Sequence, residues 1–592
     1  MKKFDLNLTT VTFLGLLLLF FGLFLLYPVG LLLRGAFVVE GHFSLRYFQL
    51  LLSSPLQRES LWNSFFIAAS TTVLTTLLTL PLSQVMTRLR FPGKALLGSL
   101  LLVPMIMPPF VGAIGLKQLL ARFGSLNLVL MKCGLLPADR PIDWLGQGGV
   151  WGIVILQVLN LYPILFLNLS AAMANLDPAL REAAQNLGAG RWRLFRTITL
   201  PLILPGYFAG AIIVFIWAFT DLGTPLVFGF SRVVPVQIFD AVNEINTNPM
   251  GYTLVVFVLG LTMILFLLSK RLLARKRYEM VGRGPTAGAE RAASGWEAAL
   301  IWGGVGLLLL VALLPHAMVV VYSFSERWFL TVLPGGWTTA PYSEVFAPGP
   351  AASSLRNSLF YSSFSALLDL VLGVVIAWLL TRRKIPWAGL LDALAMLPLA
   401  LPGIVLAFGY VSAFDLSLAS YPAWLKPWVE RWQTIDGLQA FLQLKWLNPR
   451  ENPTVLLIVS YSVRRLPYIV RSAYAGFQQT SVTLEEASAN LGASPFRTLR
   501  KITLPLIMAN LVAGTILTFS FAMLEVSDGL ILAMKEKSFP ITKMIYQILG
   551  RIDPNSASVA CALGVVGMIL LTLSLLIAGR LLGKKMGQLF RA

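Results

Sequence analysis

The sequence contains few of the side chains that build catalytic and metal sites. It has two His residues, His42 and His316, and two Cys residues, Cys133 and Cys561, among 592 residues. Neither pair has the close spacing of a metal site, and Cys561 falls in a long apolar run, so we expect neither a metal centre nor a disulfide. A phosphate-binding loop of the form Gly-x-x-x-x-Gly-Lys-Ser/Thr is also missing from the sequence. We therefore expect no catalytic site and no bound cofactor on this chain.

Charged residues are scarce as well. They make up 12% of the sequence, whereas hydrophobic residues make up 57% and the mean hydropathy is +0.75. Soluble domains carry roughly a quarter charged residues, and apolar runs recur here that are long enough to cross ~30 Å of hydrocarbon as helices. We predict an all-α polytopic membrane protein with about twelve transmembrane helices in two six-helix repeats. The predicted spans are 11–33, 62–86, 95–116, 150–170, 203–230, 252–270, 298–322, 357–381, 388–412, 454–476, 506–533 and 558–583.

Basic residues collect in alternate loops and predict the orientation of the chain. Cytoplasmic loops carry the excess of Lys and Arg, so both termini are expected to be cytoplasmic. The net charge of +20 is then mainly an orientation signal and does not indicate nucleic-acid binding. Lys2 and Lys3 precede the first span as in a signal peptide, but this span exceeds 20 residues and lacks a small-residue cleavage site, so we expect it to be retained. The basic clusters lie at 88–94, 191–196, 270–277, 382–384, 497–501 and 580–585.

One polar, basic segment occurs twice at an offset of 304 residues. Residues 182–203 and 486–507 share 14 identities in 22 positions. The segment lies between long apolar runs, where a membrane protein meets soluble partners. We predict a first repeat over 1–270 with its loop at 177–203, a cytoplasmic linker over 271–297, and a second repeat over 298–592 with its loop at 481–507. The Trp-rich stretch 413–453 is predicted to form an interfacial helix or cap on the outer face.

Each copy of the repeated segment predicts a short helix. Asp177 is a good N-cap, Pro178 suits the first turn, and Gly188 can supply the left-handed residue that ends the helix. The small residues would let the backbone of a partner approach, and Glu182 offers a charged anchor. Leu and small residues recur at the spacing of one helical face. This face comprises Leu180, Ala183, Ala184 and Leu187 in the first copy and Leu484, Ala487, Ser488 and Leu491 in the second.

These two segments resemble the cytoplasmic loop of the inner-membrane permease subunits of ATP-binding cassette (ABC) importers, with its pattern Glu-Ala-Ala…Gly…Ile…Leu-Pro. The resemblance implies that each helix couples to a separate ATPase, so that two ATPase copies would hydrolyse ATP for this fused chain. It also implies a periplasmic or lipoprotein solute-binding protein as partner, and a location in the bacterial inner membrane. Ser488 departs from the usual Ala. The implied ATPase-coupling residues are Glu182, Ala183, Ala184, Gly188, Glu486, Ala487, Ser488 and Gly492.

Polar residues within the apolar runs are candidates for a pathway or gate, because they are costly in lipid unless they face the bundle interior. Snorkelling or helix capping would also explain them, and both readings stay open. Prolines in the third and ninth spans are expected to break these helices near the midplane. The candidate pathway or gate residues are Asp221, Arg464, Arg465, Glu525 and Asp528, with Asp369 beside them, and the prolines are Pro104, Pro108, Pro109, Pro398 and Pro402.

The cargo is less well indicated by the sequence. Fused permeases of this length resemble the ferric-iron branch of the family, and the stretches 221–225 and 234–238 resemble that group most. Relatives that carry thiamine, polyamines, phosphonates or similar small solutes are the alternative. An ion-gradient-driven secondary transporter would also have six plus six helices, but it needs no duplicated docking helix. A membrane-embedded enzyme would need a catalytic cluster, which the sequence lacks.

Overall fold

The computed structural model describes residues 7–39, 41–245, 248–275, 290–415 and 446–582. Within them, nine helices are long and apolar enough to cross a membrane, or up to eleven spans when two sharply bent helix pairs are each counted as one. A further 26-residue helix, Thr454–Gln479, lies where the tenth span is predicted. All twelve predicted spans are therefore helical, and the predicted fold class is confirmed.

The first half of the chain consists of helices joined by short loops, with three two-residue strands. A π-helical turn, Gly22–Leu26, joins the helices Leu8–Phe21 and Tyr27–Phe37, and a second, Phe195–Thr199, joins the helices Arg191–Leu194 and Leu200–Thr220. The elements are α1 (Leu8–Phe21), α2 (Tyr27–Phe37), β1 (Val38–Val39), β2 (His42–Phe43), α3 (Arg46–Ser53), α4 (Pro55–Arg88), β3 (Leu89–Arg90), α5 (Lys94–Leu100), α6 (Val103–Ile106), α7 (Pro109–Leu120), α8 (Ser125–Lys132), α9 (Val150–Ala174), α10 (Pro178–Asn186), α11 (Arg191–Leu194), α12 (Leu200–Thr220), α13 (Gly223–Phe228), α14 (Val234–Ala241) and α15 (Met250–Arg275).

The second half repeats this order. A π-helical turn, Leu499–Thr503, lies before the helix Leu504–Met523, as its counterpart lies before α12. The elements are β4 (Arg291–Ala292), α16 (Gly295–Ser323), α17 (Ala340–Phe346), α18 (Pro350–Arg382), α19 (Ala388–Met396), α20 (Gly403–Phe414), α21 (Thr454–Gln479), α22 (Val482–Asn490), α23 (Pro495–Thr498), α24 (Leu504–Met523), α25 (Ser527–Leu532), α26 (Ile541–Leu549) and α27 (Ser556–Leu582).

The predicted proline breaks are present in both halves. The helix axis turns by 88° between Lys94–Met105 and Pro109–Lys132, and by 105° between Ala388–Ala400 and Gly403–Phe414. Proline lacks a backbone N–H and disfavours helical geometry in the residue before it, so a Pro after the break ends the first helix. Leu401, the residue before Pro402, accordingly has extended backbone angles, φ −97° and ψ 113°.

A helix orders the start of the predicted linker, and a strand and a helix cap order its end. Leu89–Arg90 pairs in parallel with Arg291–Ala292, and a capping box between Ser294 and Glu297 begins α16. The linker as predicted, 271–297, therefore has a helical start and an ordered end. Its central part, 276–289, lies outside the described residues, as does most of the predicted interfacial segment, 416–445.

The described residues fall into two compact units that do not follow the chain order. Unit 1 comprises residues of Met1–Ser54, Ile238–Leu259 and Tyr342–Leu589, and unit 2 residues of Pro55–Gln237 and Gly260–Pro341. Each unit thus combines most of one predicted repeat with the first span of the other. The repeat boundaries themselves remain a prediction from the sequence.

Close backbone contacts hold each exchanged span. In unit 1, the Tyr410 hydroxyl donates to the Phe24 carbonyl at 2.7 Å, and a Cβ added at Gly409 would lie 3.2 Å from Leu32. In unit 2, a Cβ at Gly115 would overlap the Pro315 carbonyl oxygen. The first span therefore packs on α20, and α16 packs on α7.

Candidate functional site

The helix of the first repeated segment, α10, begins and ends as the sequence predicts. The Asp177 side chain accepts a hydrogen bond from the Ala179 N–H at 2.9 Å. Gly188 has a left-handed φ of 78°. The N–H groups of Gly188 and Ala189 donate to the carbonyls of Gln185 and Ala184, both at 2.9 Å. These two bonds form a Schellman motif, which satisfies carbonyls that the helix end would leave unpaired.

The helix of the second repeated segment, α22, ends in the same way. The Ser481 hydroxyl accepts from the Thr483 N–H at 3.3 Å, and Gly492 has φ 79°. The Gly492 N–H donates to the Ala489 carbonyl and the Ala493 N–H to the Ser488 carbonyl. The two copies of the repeat therefore share their local structure as well as their sequence.

Exposed apolar residues also occupy equivalent positions around α10 and α22. Leu187 and Leu491 are each 88% exposed, and Trp192 and Phe496 are each 71% exposed. These four side chains lie in the polar, basic segments between the apolar runs, where an exposed apolar patch usually marks an interaction surface. Trp192 and Phe496 were missed in the sequence analysis, although their shared offset of 304 within a polar, basic segment was a signal that could have found them.

Most of the predicted coupling residues lie on this surface. Glu182, Ala183, Gly188, Glu486, Ala487 and Gly492 are exposed. Ala184 is half-buried and Ser488 is buried. The Ser488 hydroxyl is 2.9 Å from the Thr498 hydroxyl, so this position packs against the loop that follows its own helix. Ser488 therefore does not present its side chain at the surface with the other coupling residues.

Four of the five candidate pathway residues come together inside unit 1. Arg464, on α21, has its Nη1 2.5 Å from Glu525 Oε1 and 3.4 Å from Asp528 Oδ2. Arg465 pairs with Glu525 through its Nη2 and also donates to the Phe521 carbonyl at 2.9 Å. Glu525 and Asp528 are buried. We call these four residues the charged cluster.

The charged cluster contacts the break in the ninth span. A Cβ added at Gly403, the residue after the break, would overlap the Arg464 guanidinium and lie 3.0 Å from Asp528 Oδ1. Asp528 also accepts from the Ser460 hydroxyl at 2.8 Å. Buried charges are tolerated when they are paired and hydrogen-bonded, so this arrangement fixes α21, α25 and the start of α20 against each other.

The equivalent place in unit 2 has a neutral residue where unit 1 has Arg464. Asn160, 304 residues before Arg464, donates to the carbonyls of Pro104 and Met107 at 2.9 and 3.0 Å, within the break of the third span. Asp221, which matches Glu525, accepts from Gln157 at 3.2 Å and from the Gly223 N–H at 3.1 Å. Asp221 therefore caps α13 and takes no part in the charged cluster.

Asp369 and His316 are buried polar residues that lie outside the charged cluster. Asp369 is buried on α18 and accepts from the Ser462 hydroxyl at 2.6 Å. His316 is buried, with its Nε2 3.3 Å from the Pro108 carbonyl. Within the described ranges, no group of three or more His, Cys, Asp or Glu side chains is arranged to hold a metal ion, and Cys133 and Cys561 are free thiols.

Comparison with protein families identifies the chain. Residues 79–278 and 369–588 both match the family described as binding-protein-dependent transport system inner membrane component. The chain belongs to this family. It is a multi-pass membrane permease, and the two repeated helices, α10 and α22, lie inside the two matched ranges. The family assignment replaces the alternative of a secondary transporter.

Curated relatives of the permease cover most of its length. It is 27% identical to a putative ferric transport system permease protein from Haemophilus influenzae, over 86% of this chain and 76% of the relative. It is 25% identical to a ferric transport system permease protein from Actinobacillus pleuropneumoniae, over 94% of this chain and 75% of that protein. A molybdenum transport system permease protein from Escherichia coli is 31% identical over 38% of this chain and 97% of that protein.

Solved structures of a bacterial alginate ABC importer match the permease at lower similarity. One such chain is 18% identical and has a TM-score of 0.36, with 45% of this chain and 96% of that chain covered. The family assignment does not depend on this likeness.

Proposed function

We propose that this permease forms the membrane pathway of an importer for ferric iron, driven by two copies of a cytoplasmic ATPase and supplied by a periplasmic or lipoprotein solute-binding protein. The observation that carries the proposal is the repeated exposed surface around α10 and α22. Two equal surfaces of Leu, aromatic and Glu residues, one in each matched range, suit a partner with two equal sockets. In this proposal both termini and both coupling helices are cytoplasmic, and ATP is used by the partner alone.

The choice of cargo rests on the relatives. Two proteins that match over most of the chain carry names that specify ferric transport. The shorter match to a molybdenum permease makes the molybdate anion a second candidate. In the proposed system the binding protein selects the cargo, and the permease accepts it at the outer face.

We further propose that the charged cluster is a gate. Arg464 packs against Gly403 at the break in the ninth span and pairs with Glu525 and Asp528, so a movement of α20 towards α21 must displace the paired guanidinium or carry it along. The neutral Asn160 holds the other break by hydrogen bonds alone. The two broken spans would therefore move at different energetic cost.

Affinity purification in mild detergent tests the partners. We expect the tagged permease to co-purify an ATPase in about two copies, together with a binding protein whose ligand can be identified. Replacing Glu182 and Glu486 with Lys should release the ATPase while the permease still inserts. Uptake of radioactive ferric iron, with molybdate as competitor, tests the cargo. An ATPase retained by the double variant, or uptake that molybdate blocks and iron does not saturate, would contradict the respective part of the proposal.

A further inference from the structure

Two charged side chains inside unit 1 each keep one buried polar atom without a partner. Arg465, on α21, uses its Nη2 for Glu525 and for the Phe521 carbonyl, whereas its Nη1 has no partner among the described residues. Asp369, on α18, accepts from the Ser462 hydroxyl at 2.6 Å through Oδ1, whereas its Oδ2 has no partner in the part of the chain that the structure describes. Both residues are more than nine-tenths buried. Such atoms are costly on charged groups, so both need an explanation.

Asp369 and Arg465 lie on facing sides of α18 and α21. The hydrogen bond from Ser462 places the Asp369 carboxylate against α21. Ser462 and Arg465 are three residues apart and therefore leave α21 on one face. Arg465 also attracts the Asp369 carboxylate electrostatically. Two other polar residues on this face of α18, Ser362 and Ser365, are buried and uncharged. Asp369 is the single acidic residue of α18, so it is the group of this helix that can neutralise Arg465.

The buried charges give Arg465 a second carboxylate with which to pair. The charged cluster and Asp369 together contain three carboxylates and two guanidiniums. Glu525 contacts both Arg464 and Arg465, and Asp528 contacts Arg464. Asp369 takes part in none of the ion pairs between described residues, and its Oδ1 is held by a hydroxyl. If Arg465 left Glu525, Arg464 would still neutralise that carboxylate, so the move to Asp369 would leave no bare charge behind.

The sequence has Asp369 and Arg465 together in one half of the chain and neither in the other. The helices α4 and α18 align at an offset of 294 residues, as their shared Asn-Ser dipeptides show, and α9 and α21 align at 304. The equivalent residues in the first half are Thr75 and Leu161, both uncharged. The carboxylate that Arg465 contacts in the charged cluster is instead acidic in both halves. The arginine therefore accompanies Asp369, which is expected if the two residues form a pair.

We infer that Asp369 is a positioning residue of the proposed gate, and that Arg465 alternates between two carboxylates as the gate moves. In the described state Arg465 pairs with Glu525 and ties α21 to the segment before α25. In the other state it pairs with Asp369 and ties α21 to α18, while Arg464 keeps Glu525 neutralised. The number of ion pairs made by Arg465 stays the same, so the gate has two packed states. The inference rests on the proposed gate and on the proposed ATPase that drives it.

Thermal unfolding of the purified permease tests the alternation without an ATPase or a cargo. We expect Asp369→Asn to lower the unfolding midpoint by no more than about 2 °C in the wild-type background, because Arg465 pairs with Glu525 there. In the Glu525→Gln background it should lower the midpoint by about 6 °C or more, because Arg465 then depends on Asp369. Asp392→Asn is the matched control, since this partly exposed carboxylate lies 3.5 Å from Arg471 of the same helix, α21. Its effect should be equal in both backgrounds.

Amide hydrogen exchange and uptake in the permease–ATPase complex test the state that Asp369 supports. Glu525 Oε1 accepts from the Asp528 N–H at 3.3 Å, in the first turn of α25. We expect a non-hydrolysable ATP analogue to speed amide exchange across 525–532 about threefold in wild type, because Arg465 leaves Glu525. Asp369→Asn should abolish this change and lower uptake about tenfold or more. Asp369→Glu keeps the carboxylate and should retain part of both.

Several results would each overturn the inference. They are an equal effect of Asp369→Asn in the two backgrounds, a nucleotide-dependent change across 525–532 that persists in this variant, its absence from a wild-type complex that transports, and wild-type uptake by Asp369→Asn. Failure of the proposed function is distinct, because the wild-type chain would then purify without an ATPase or show no uptake. The unfolding comparison would still decide whether Arg465 has Asp369 as its second partner.

Discussion

Leu187 and Leu491 each lie at the end of a coupling helix with 88% of the residue exposed. Neither contributes much to the stability of the isolated chain, since an exposed side chain loses little when it is replaced. Burying a Leu side chain in a partner would contribute about 1.5–3 kcal/mol of binding free energy. These two residues are therefore better explained by binding than by folding.

Replacing both leucines with Lys tests this explanation. We expect the Leu187→Lys, Leu491→Lys variant to unfold within about 2 °C of wild type and to lose most of the co-purified ATPase, because two apolar contacts are removed and two charges enter the interface. The measurements are thermal unfolding and quantitative mass spectrometry of the purified complex. Ala489→Lys, an exposed change on α22 outside the repeated leucine and aromatic positions, is the control. Equal loss of ATPase in the control would contradict a leucine-specific role.

Lys543 predicts a pH dependence of stability. Its amine lies 5.4 Å from the Phe539 ring centroid and 5.8 Å from that of Phe239, and burial lowers the pKa of Lys543 from 10.5 to about 8. Between these two pH values the unfolded chain binds the proton more readily than the folded one, so this residue makes stability rise with pH. At pH 7 the buried charge of Lys543 therefore lowers the free energy of unfolding.

We therefore expect Lys543→Met to raise the unfolding midpoint at pH 7, with the advantage over wild type shrinking as the pH rises from 8 to 10.5. Thermal unfolding of both proteins, followed by tryptophan fluorescence in detergent, measures the difference at each pH. Lys535→Met replaces a more exposed lysine, which lies 3.4 Å from Glu451, and serves as control. A difference that stays constant or grows over this range would show that the charge is not the cause.

Gly403, at the break in the ninth span, packs so closely against Arg464 that there is no room for a side chain. Gly403→Ala places a methyl group where the Arg464 guanidinium lies, so Arg464 must withdraw from Glu525 and Asp528. Breaking a buried ion pair costs about 3–5 kcal/mol. We expect a clear drop in the unfolding midpoint and impaired uptake. Gly389→Ala in α19 is the matched control, because nothing lies within 4 Å of its added Cβ. A midpoint equal to that of the control would contradict the role of the charged cluster.

Some elements follow from local sequence, and others do not. The spans, the proline breaks and both ends of α10 were predictable, because hydropathy, Pro geometry and caps act within a few residues. The sequence did not predict that Arg465 pairs with Glu525 or that the Ser488 side chain points inward. Both depend on which helices pack together, and contacts between residues 10 or 60 positions apart leave no local signal.

The exchange of first spans is a property of the whole chain that neither repeat reveals alone. Gly115 has no Cβ where the Pro315 carbonyl approaches α7, and Gly409 similarly admits Leu32 to α20. Each compact unit therefore needs helices from both repeats. A repeat separated from the other would expose an apolar face on its broken span and leave its own first span without a partner.

Cutting the chain in the linker tests this dependence. We expect residues 1–283 and 284–592, expressed as separate polypeptides, to be recovered only when co-expressed, and to purify together through a tag on either part. Gly115→Ala should reduce this recovery, because its added Cβ would overlap the Pro315 carbonyl oxygen. Gly304→Ala should not, because nothing lies within 4 Å of a Cβ added at Gly304. Two stable halves that purify independently would contradict the exchange. Joint recovery would mean that the covalent linker sets the ratio of the halves, while packing between α7 and α16 and between α2 and α20 holds them together.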